Sequence, residues 1–296
     1  MRPERLPAAD RSLPRPGVRV IGVGGKDSRL LKISVVTPSY NQADFLERTL
    51  RSVHTQEGNF ELEHLVIDGG STDGSVALLE RWKDKLSYIS EKDRGQSHAL
   101  NKGIARATGE VICWINSDDT LRPHALATVA AYFTAHPTIN WAYGRCGIID
   151  EHDVDIRGLI TRYKNLLGRR YSYRKLLLEN YISQPSTFFR KAFYERVGGV
   201  DESLKLDMDY DLWLRFGQVE PAGIIDGPPL ANFRFHAAAK TGGQIEPTLR
   251  VANELARKYA RAIGKPWLGT INYWLYCRRT ILIYQLLDAV RSAAKR

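Results

Sequence analysis

The segment VICWINSDD, at residues 111–119, begins with an apolar run and ends in two adjacent carboxylates, Asp118 and Asp119. An apolar run of this length, bounded by turn residues, is typical of a strand that is covered on both faces. In open α/β sheets, ligands bind in the crevice beyond the carboxyl ends of the strands. We therefore predict that this strand delivers Asp118 and Asp119 to a site where they bind a divalent cation, which in turn binds a diphosphate.

The chain before this segment alternates between predicted strands and helices. Strands are predicted at 31–37, 62–68, 86–90 and 111–115, and a helical pattern follows each of the first three. This alternation requires a parallel sheet with right-handed crossovers. The predicted fold class is α/β, with a mostly parallel central sheet flanked by helices.

The pattern is looser after the two carboxylates. Shorter elements are predicted there, with helices at 123–135, 191–197 and 210–219 and strands at 141–143, 147–149, 185–190, 222–225 and 230–235. Two helices, 247–263 and 267–290, complete the chain as a C-terminal helical extension. Residues 1–30 are rich in Pro, Arg and Gly and lack periodicity, which predicts a flexible N-terminal arm.

The composition is that of a folded protein with a basic excess. The 296 residues have a formal net charge of +10, and residues 157–175 contain seven basic residues and no acid, while 250–296 alone contribute +8. Such an excess suits nucleic acid, anionic lipid or phosphorylated ligands. No nucleic-acid-binding motif accompanies it, so nucleic acid is the weakest of the three.

The cysteines and the N-terminus bear on the compartment. Cys113, Cys146 and Cys277 are far apart and have no metal or redox spacing, which favours a reducing compartment. No secretory signal and no apolar run long enough to span a bilayer is visible. We expect a cytoplasmic protein.

The two carboxylates have a structural alternative, because Asp119 or Thr120 would also cap a helix that starts near Pro123. A bare Asp-Asp pair is more often a cap than a metal site. The ends of the other strands favour the metal site. Asp68 ends the second strand ahead of a glycine-rich turn, where a carboxylate can accept a hydrogen bond from a base N–H.

Several motifs, taken in order, resemble family 2 glycosyltransferases. They are ISVVTPSYN at 33–41, VIDGGSTDGS at 66–75, EKDRGQ at 91–96, NKG at 101–103 and WINSDD at 114–119. The resemblance covers roughly two-thirds of the chain, 32–236. It implies the GT-A fold of nucleotide-diphospho-sugar transferases and inversion at the anomeric carbon of the sugar.

By this resemblance, residues 31–245 form a catalytic domain with a nucleotide-binding half, 31–120, and an acceptor half, 121–245, followed by basic helices at 246–296. Asp68 would bind the base and Asp118 the metal, Mn²⁺ or Mg²⁺. Many members have Asp where this chain has Asn116, so Asp118 and Asp119 must bind the metal. The other residues expected to contact the nucleotide sugar are Thr37, Pro38, Tyr40, Gly70, Asp93, Arg94, Asn101, Asn116 and Ser117.

An inverting transfer requires a base that takes the proton of the acceptor hydroxyl. The segment LDMDYDLWLR, at 206–215, resembles the acidic motif that precedes an apolar helix in this family, and Asp209 aligns with its base. Met208 stands where the family usually has Glu, which leaves Asp207 and Asp211 open as alternatives. Three aspartates at alternating positions exceed what a helix cap needs.

Two further segments resemble the family. FRFH, at 233–236, is similar to its late Arg-x-His motif, in which His236 would complete the metal site and Arg234 or Lys240 would face the diphosphate. A lone histidine is more often structural. Gln184 and Ser186 would lie toward the acceptor.

The predicted helix 267–290 has aromatic residues and arginines beside an apolar face, which is typical of interfacial helices. Packing on the catalytic domain or on another subunit is the alternative. Peripheral contact with the inner face of the cell membrane would suit a lipid-linked acceptor.

The sequence thus predicts a metal-dependent inverting glycosyltransferase that moves a sugar from a nucleotide-diphosphate sugar to a saccharide or lipid-linked saccharide, in the synthesis of a cell-surface polysaccharide or glycolipid. A nucleotidyltransferase is an alternative, although no glycine-rich triphosphate loop follows Thr37. A non-catalytic sugar-nucleotide-binding assembly protein is another. Retention of Asp68, Asp118, Asp119 and Asp209 argues against it.

Overall fold

The computed structural model describes residues 19–21, 29–236 and 245–282. Its strands are β1 (Arg19–Ile21), β2 (Lys32–Ser39), β3 (Phe60–Asp68), β4 (Ser87–Ser90), β5 (Val111–Trp114), β6 (Thr120–Leu121), β7 (Trp141–Gly144), β8 (Cys146–Ile149), β9 (Thr187–Arg190), β10 (Gly223–Ile225) and β11 (Ala231–Arg234). Eight of them form the central sheet, in which the order is β1-β3-β2-β5-β9-β7-β10 and β4 also pairs with β3.

The helices flank this sheet. They are α1 (Ala43–His54), α2 (Ser75–Arg81), α3 (Gln96–Arg106), α4 (Ala125–Ala135), α5 (Gly158–Leu167), α6 (Tyr173–Leu178), α7 (Lys191–Arg196), α8 (Met208–Val219), α9 (Ile245–Ala262) and α10 (Trp267–Ile271), with a 3₁₀ turn at Gln184–Ser186 and a π-helix at Asn272–Arg278. Most predicted elements are present, with ends that differ by a few residues. The predicted strand at 185–190 starts later, because the 3₁₀ turn occupies its first residues.

The mostly parallel sheet is confirmed. Strands β2, β3, β4 and β5 are parallel to their neighbours in this group, whereas β9 is antiparallel to both β5 and β7. Strands β2 and β5 lie in the middle and are buried along almost their whole length. Helix α3 packs closely on β2 and β3 at Gly103, where an added Cβ would lie 2.5 Å from Cγ1 of Val36.

A second, three-stranded sheet has the order β6-β11-β8. Strand β11 pairs antiparallel with β6, which directly follows the Asp118–Asp119 pair, and parallel with β8. Residues distant in sequence therefore meet beside the carboxyl end of β5, and the end of β11 lies next to the two carboxylates.

The flexible arm predicted for 1–30 is wrong for Arg19–Ile21, which forms strand β1. This strand pairs antiparallel with the first residues of β3, at Phe60, Glu61 and Leu62, whereas β4 pairs only with later residues of β3. The edge of β3 that β4 leaves open thus accepts the backbone of β1. Residues 1–18 and 22–28 lie outside the described part of the chain.

The C-terminal extension packs on the preceding part of the chain through α9, whose Leu255 and Tyr259 belong to the main apolar core. The single helix predicted at 267–290 is instead α10 followed by the π-helix, and its residues from 283 onward lie outside the described part. None of the described helices has the length and apolar character needed to cross a membrane.

Candidate active site

A cavity of about 650 Å³ opens at the carboxyl ends of β2 and β5. Eight of the residues expected to form the site line it: Pro38, Tyr40, Asp93, Asn116, Ser117, Asp118, Gln184 and Asp209. The structure therefore brings the carboxylate at the end of β5 and an aspartate at the start of α8 to one concave surface. Nine other residues expected in the site lie outside its wall: Thr37, Asp68, Gly70, Arg94, Asn101, Asp119, Ser186, Asp211 and His236.

Asp118 lines the cavity and pairs with His236, which lies outside its wall. The side chain of Asp118 is 18% exposed, and its Oδ2 lies 3.1 Å from Nε2 of His236. His236 follows β11, and its ring packs against Phe45 with 4.5 Å between the ring centroids. The pairing of β11 with β6 thus places an imidazole beside the carboxylate, and metal binding by His236 stays a prediction.

This pair suits a divalent cation. Within the described residues, no three His, Cys, Asp or Glu side chains form a cluster that could hold a metal by themselves. Mg²⁺ and Mn²⁺ often take one or two carboxylates and complete their shell with phosphate oxygens and water. Asp118 with His236 therefore fits a cation that shares its shell with a diphosphate.

Asp119 is turned away from the cavity. It is 1% exposed, and its Oδ1 accepts a hydrogen bond of 2.8 Å from the backbone N–H of Arg234. Burial and the neighbouring charge of Asp118 raise the pKa of Asp119 well above its ordinary value, against the lowering effect of Arg234. The structure thus separates the two carboxylates that we expected to bind a metal together, because Asp119 is needed to hold β11.

Arg234 is fully buried and does not face the cavity. Its guanidinium donates to the backbone oxygens of Asp118 and Asp150, both at 2.7 Å, and to Oδ1 of Asp153 at 2.5 Å. The expectation that Arg234 faces the diphosphate is therefore wrong, since its donors are used inside the protein. Lys240, the other candidate, lies outside the described residues.

Asn116 is the centre of a polar network in the cavity wall. Its Nδ2 donates to Oε1 of Gln184 at 2.9 Å and to Oδ2 of Asp119 at 3.3 Å. Its Oδ1 accepts from Gln96 and from the indole of Trp114, both at 2.8 Å. The amide both donates and accepts here, which a carboxylate cannot do when ionised.

Asp68 lies behind the cavity wall and is completely buried. Its Oδ2 accepts from the backbone of Gly70 and Ser71 and from the hydroxyl of Ser90, and its Oδ1 accepts from the hydroxyl of Ser71. Asp68 therefore shapes the glycine turn, and its contact with a base stays a prediction. Thr37 is buried as well, with its Oγ1 3.0 Å from Nε2 of His64.

Of the three expected donor contacts at 93–101, Asp93 lines the cavity, whereas Arg94 and Asn101 contact other parts of the protein. Asp93 lines the cavity and lies close to Gly69, where an added Cβ would be 3.0 Å from Oδ2 of Asp93. Arg94 points outward and pairs with Glu202. Asn101 uses its amide on the backbone of Val200, so it supports a loop instead of contacting a ligand.

The far end of the cavity is acidic. Burial raises the pKa of Asp209, and the nearby charge of Lys164 opposes this. Burial and the charge of Asp209 raise the pKa of Asp207 to about 8, and Lys164 again opposes the shift.

Asp211 lies on another side of α8 and is 1% exposed. Its carboxylate accepts from Nε of Arg215 at 2.8 Å and from the hydroxyl of Tyr259 at 2.7 Å. These contacts join α8 to α9. The structure thus gives Asp211 a structural position and leaves Asp207 and Asp209 facing the cavity.

Several wall residues were missed by the sequence reasoning: Gln42, Lys92, Gln96, Thr161, Lys164, Asn180, Lys205 and Tyr276. Lys164 belongs to the basic run at 157–175, which was noticed but not placed in the site. Lys92 and Gln96 belong to the EKDRGQ motif at 91–96, in which only Asp93 and Arg94 were expected to contact the donor. The others follow no local pattern. Ser186, which we expected near the acceptor, donates to the backbone oxygens of Gly144 and Ser183 and is buried.

The protein-family model described as Glycosyl transferase family 2 matches residues 34–198. The chain belongs to this family and is a glycosyltransferase. An uncharacterized glycosyltransferase of Mycobacterium tuberculosis is 31% identical over 261 residues, which are 83% of this chain and 94% of that protein. The PGL/p-HBAD biosynthesis glycosyltransferase of Mycobacterium bovis is 28% identical over 188 residues, which are 62% of this chain and 68% of that protein.

Two solved structures have the same fold. S. aureus TarS 1–349 in complex with UDP-GlcNAc superposes with a TM-score of 0.62 at 16% identity, covering 84% of this chain and 74% of that one. The mannosyltransferase PcManGT of Pyrobaculum calidifontis, in complex with GDP-Man and Mn²⁺, gives a TM-score of 0.59 at 23% identity, covering 88% and 75%. The predicted GT-A fold is confirmed.

Replacing Asn116 by Asp is expected to lower the free energy of unfolding by about 1–3 kcal/mol. An ionised carboxylate at this position cannot donate to Gln184 and Asp119, and it would lie against the carboxyl group of Asp119. Urea denaturation measures the change. Asn180→Asp, which adds the same charge to the same wall, is the control and should have a smaller effect. Equal stability of both variants would contradict the proposed network.

Proposed function

We propose that this glycosyltransferase moves a sugar from a nucleotide-diphosphate sugar to an acceptor hydroxyl, with a divalent cation at Asp118 and with Asp209 as the base. The observation that supports this most is that both carboxylates line one cavity of about 650 Å³. Cavities of several hundred cubic ångströms enclose ligands of this size. The complexes of TarS with UDP-GlcNAc and of PcManGT with GDP-Man and Mn²⁺ agree with such a donor and such a cation.

At the donor end, Asp118 and His236 would hold the cation, Mn²⁺ or Mg²⁺. When bound, this cation would neutralise the diphosphate and stabilise the charge of the leaving group. Tyr40 and Asp93 line the part of the wall beside β2 and β3, where we place the nucleoside. Lys92 and Lys205 in the same wall bring positive charge to a site for an anionic donor.

At the acceptor end, Asp209 takes the proton of the acceptor hydroxyl. The acceptor oxygen forms a bond to the anomeric carbon while the bond from that carbon to the diphosphate oxygen breaks. A single displacement of this kind inverts the configuration and needs no covalent intermediate. The raised pKa of Asp209 suits this role, because a base is most effective when its pKa approaches the working pH.

The acceptor is inferred to be a saccharide or a lipid-linked saccharide of a cell-surface polysaccharide or glycolipid, modified in the cytoplasm at the inner face of the membrane. The name of the M. bovis relative, a PGL/p-HBAD biosynthesis glycosyltransferase, supports such a product class. This assignment is by analogy and is separate from the chemistry of the cavity.

Asp209→Asn is expected to lower kcat by about 10²–10⁴-fold, because an amide cannot accept the acceptor proton. Donor affinity should not change. The measurement is release of nucleoside diphosphate from the donor, with donor binding by calorimetry. Turnover at the wild-type rate would refute the assignment of the base.

The matched control is Asp211→Asn, which makes the same substitution two residues further along α8. Because Asp211 bonds Arg215 and Tyr259 inside the protein, this variant should lose about 2 kcal/mol of unfolding free energy while the folded enzyme keeps its kcat. The reverse result, a stable but inactive Asp211→Asn, would move the base to Asp211.

Asp118→Asn is expected to weaken donor binding in Mg²⁺ by at least about tenfold, because a charged cation ligand is lost. Binding by the variant should no longer respond to EDTA. Asp44→Asn, which changes an exposed carboxylate, should bind donor as the wild type does. Equal donor binding by the wild type with and without EDTA would show that the cation is not required.

The pH profile of kcat/KM tests the environment of the base. Activity should fall as the pH drops through the raised pKa of Asp209, since the protonated form cannot act as a base. Lys164→Met removes a positive charge that favours the carboxylate and should move this acidic limb to higher pH. An acidic limb that stays in place in Lys164→Met would contradict the assignment of this limb to Asp209.

A further inference from the structure

Helix α5 exposes the face that a helix normally buries. Leu159, Tyr163 and Leu166 have i, i+4, i+7 spacing, which usually marks the side that packs on a core. In the structure they are 82%, 40% and 59% exposed, and none of the ten residues of α5 is buried. The opposite side of the helix is polar and contributes Thr161 and Lys164 to the cavity wall.

The C-terminal helices have a similar arrangement. Trp267, Trp274, Leu275 and Leu282 are each more than half exposed. The inner side of the same segment is packed, with Cys277 buried. Exposed apolar side chains are common one at a time, but such groups on neighbouring helices usually mark an interaction surface.

The two sets of side chains adjoin. Arg279 lies with its guanidinium carbon 6.0 Å from the centre of the Tyr163 ring, and its Nη2 is 3.8 Å from Oε2 of Glu179. The hydroxyl of Tyr163 donates to the same Oε2 at 2.8 Å. Glu179 therefore joins α5 to the C-terminal segment, and the exposed residues of both form one surface, the aromatic–basic face.

The charge around this face is mainly basic, with Glu179 as an acid at the junction of the two segments. Residues 157–175 contain seven Lys and Arg and no acid, and 263–282 contain three and no acid. Arg278 packs over the ring of Trp274 at 4.6 Å, so basic and aromatic groups are interleaved. Aromatic and aliphatic side chains surrounded by Lys and Arg are the composition of helices that lie in the headgroup region of anionic membranes.

We propose that the aromatic–basic face binds the surface of an anionic lipid bilayer. The apolar side chains enter the boundary between headgroups and acyl chains, and the basic ones remain at the headgroups. Binding needs no membrane-spanning helix. It extends the interfacial segment expected at 267–290 to α5, which the sequence reasoning did not include.

The basic charge disfavours a second copy of this chain as the occupant, since two such faces would repel each other. A segment of the same chain that covered the face would bury Leu159 and Leu275, and their replacement by Ser would then lower the melting temperature. A bilayer predicts no such loss in solution.

The position of the face bears on the acceptor, and this step rests on the proposed function. Helix α5 and the π-helix contribute Lys164 and Tyr276 to the cavity wall and also contribute to the aromatic–basic face. A bilayer on this face thus lies beside the acceptor end of the cavity. An acceptor attached to a lipid would reach Asp209 without leaving the membrane surface.

The test is co-sedimentation of the full-length protein with vesicles of phosphatidylcholine alone and with phosphatidylglycerol added to about one-third. The wild type should bind the anionic vesicles, bind the neutral ones weakly, and lose binding in high salt. Leu159→Ser with Leu166→Ser, and separately Trp274→Ser with Leu275→Ser, should each weaken binding by at least about tenfold. The tryptophan emission of the wild type should shift to shorter wavelength on binding, since Trp267 and Trp274 are exposed in solution.

Val154→Ser with Val219→Ser, which changes two exposed apolar residues elsewhere, is the matched control and should bind as the wild type does. Failure of the wild type to bind anionic vesicles would overturn the proposal, as would equal binding by the face variants and the control. A lower melting temperature of the face variants, or a dimer that they abolish, would show that protein covers the face. Donor binding by calorimetry is measured in all variants and should not change, so failure at the membrane is distinguishable from failure of the proposed transfer site.

Discussion

The hydrogen bond from the backbone of Arg234 to the buried carboxylate of Asp119 is the contact on which the rest of the site depends. It joins residues 115 positions apart, and the guanidinium of the same arginine donates to the backbone of Asp118. A buried polar group that loses its hydrogen-bond partner costs about 1–3 kcal/mol, so Asp119 is difficult to replace. With both in place, Asp118 is held at the cavity and His236 is brought within 3.1 Å of it.

Carboxylates in this protein form neighbouring pairs with different tasks. Asp118 faces the cavity while Asp119 holds the small sheet. Asp209 faces the cavity while Asp211 joins α8 to α9. In each pair the structural carboxylate bonds to an arginine and fixes the backbone, which in turn sets the direction of its functional neighbour. Burial raises the pKa of Asp209 in the direction that suits a base.

The central sheet and much of the candidate site were predictable from local patterns. Strand ends and turn motifs placed Asp118 and Asn116 at the edge of the sheet, and the acidic motif placed Asp209 there as well. Which of two adjacent aspartates faces a ligand was not predictable, because Asp119 is turned by a partner far along the chain. The exposure of the apolar face of α5 was not predictable either. Periodicity identifies such a face but does not show whether it packs on the core or is exposed to solvent.

The central claim is a single displacement between a donor held at Asp118 and a base at Asp209. The most direct measurement uses hydrolysis of an α-linked nucleotide-diphosphate sugar by the wild type with Mg²⁺. Proton NMR gives the anomeric configuration of the sugar that is released first, before the anomers equilibrate. Water takes the place of the acceptor, so no acceptor needs to be known. The account predicts that the β-anomer is formed first, and initial release of the α-anomer would contradict it.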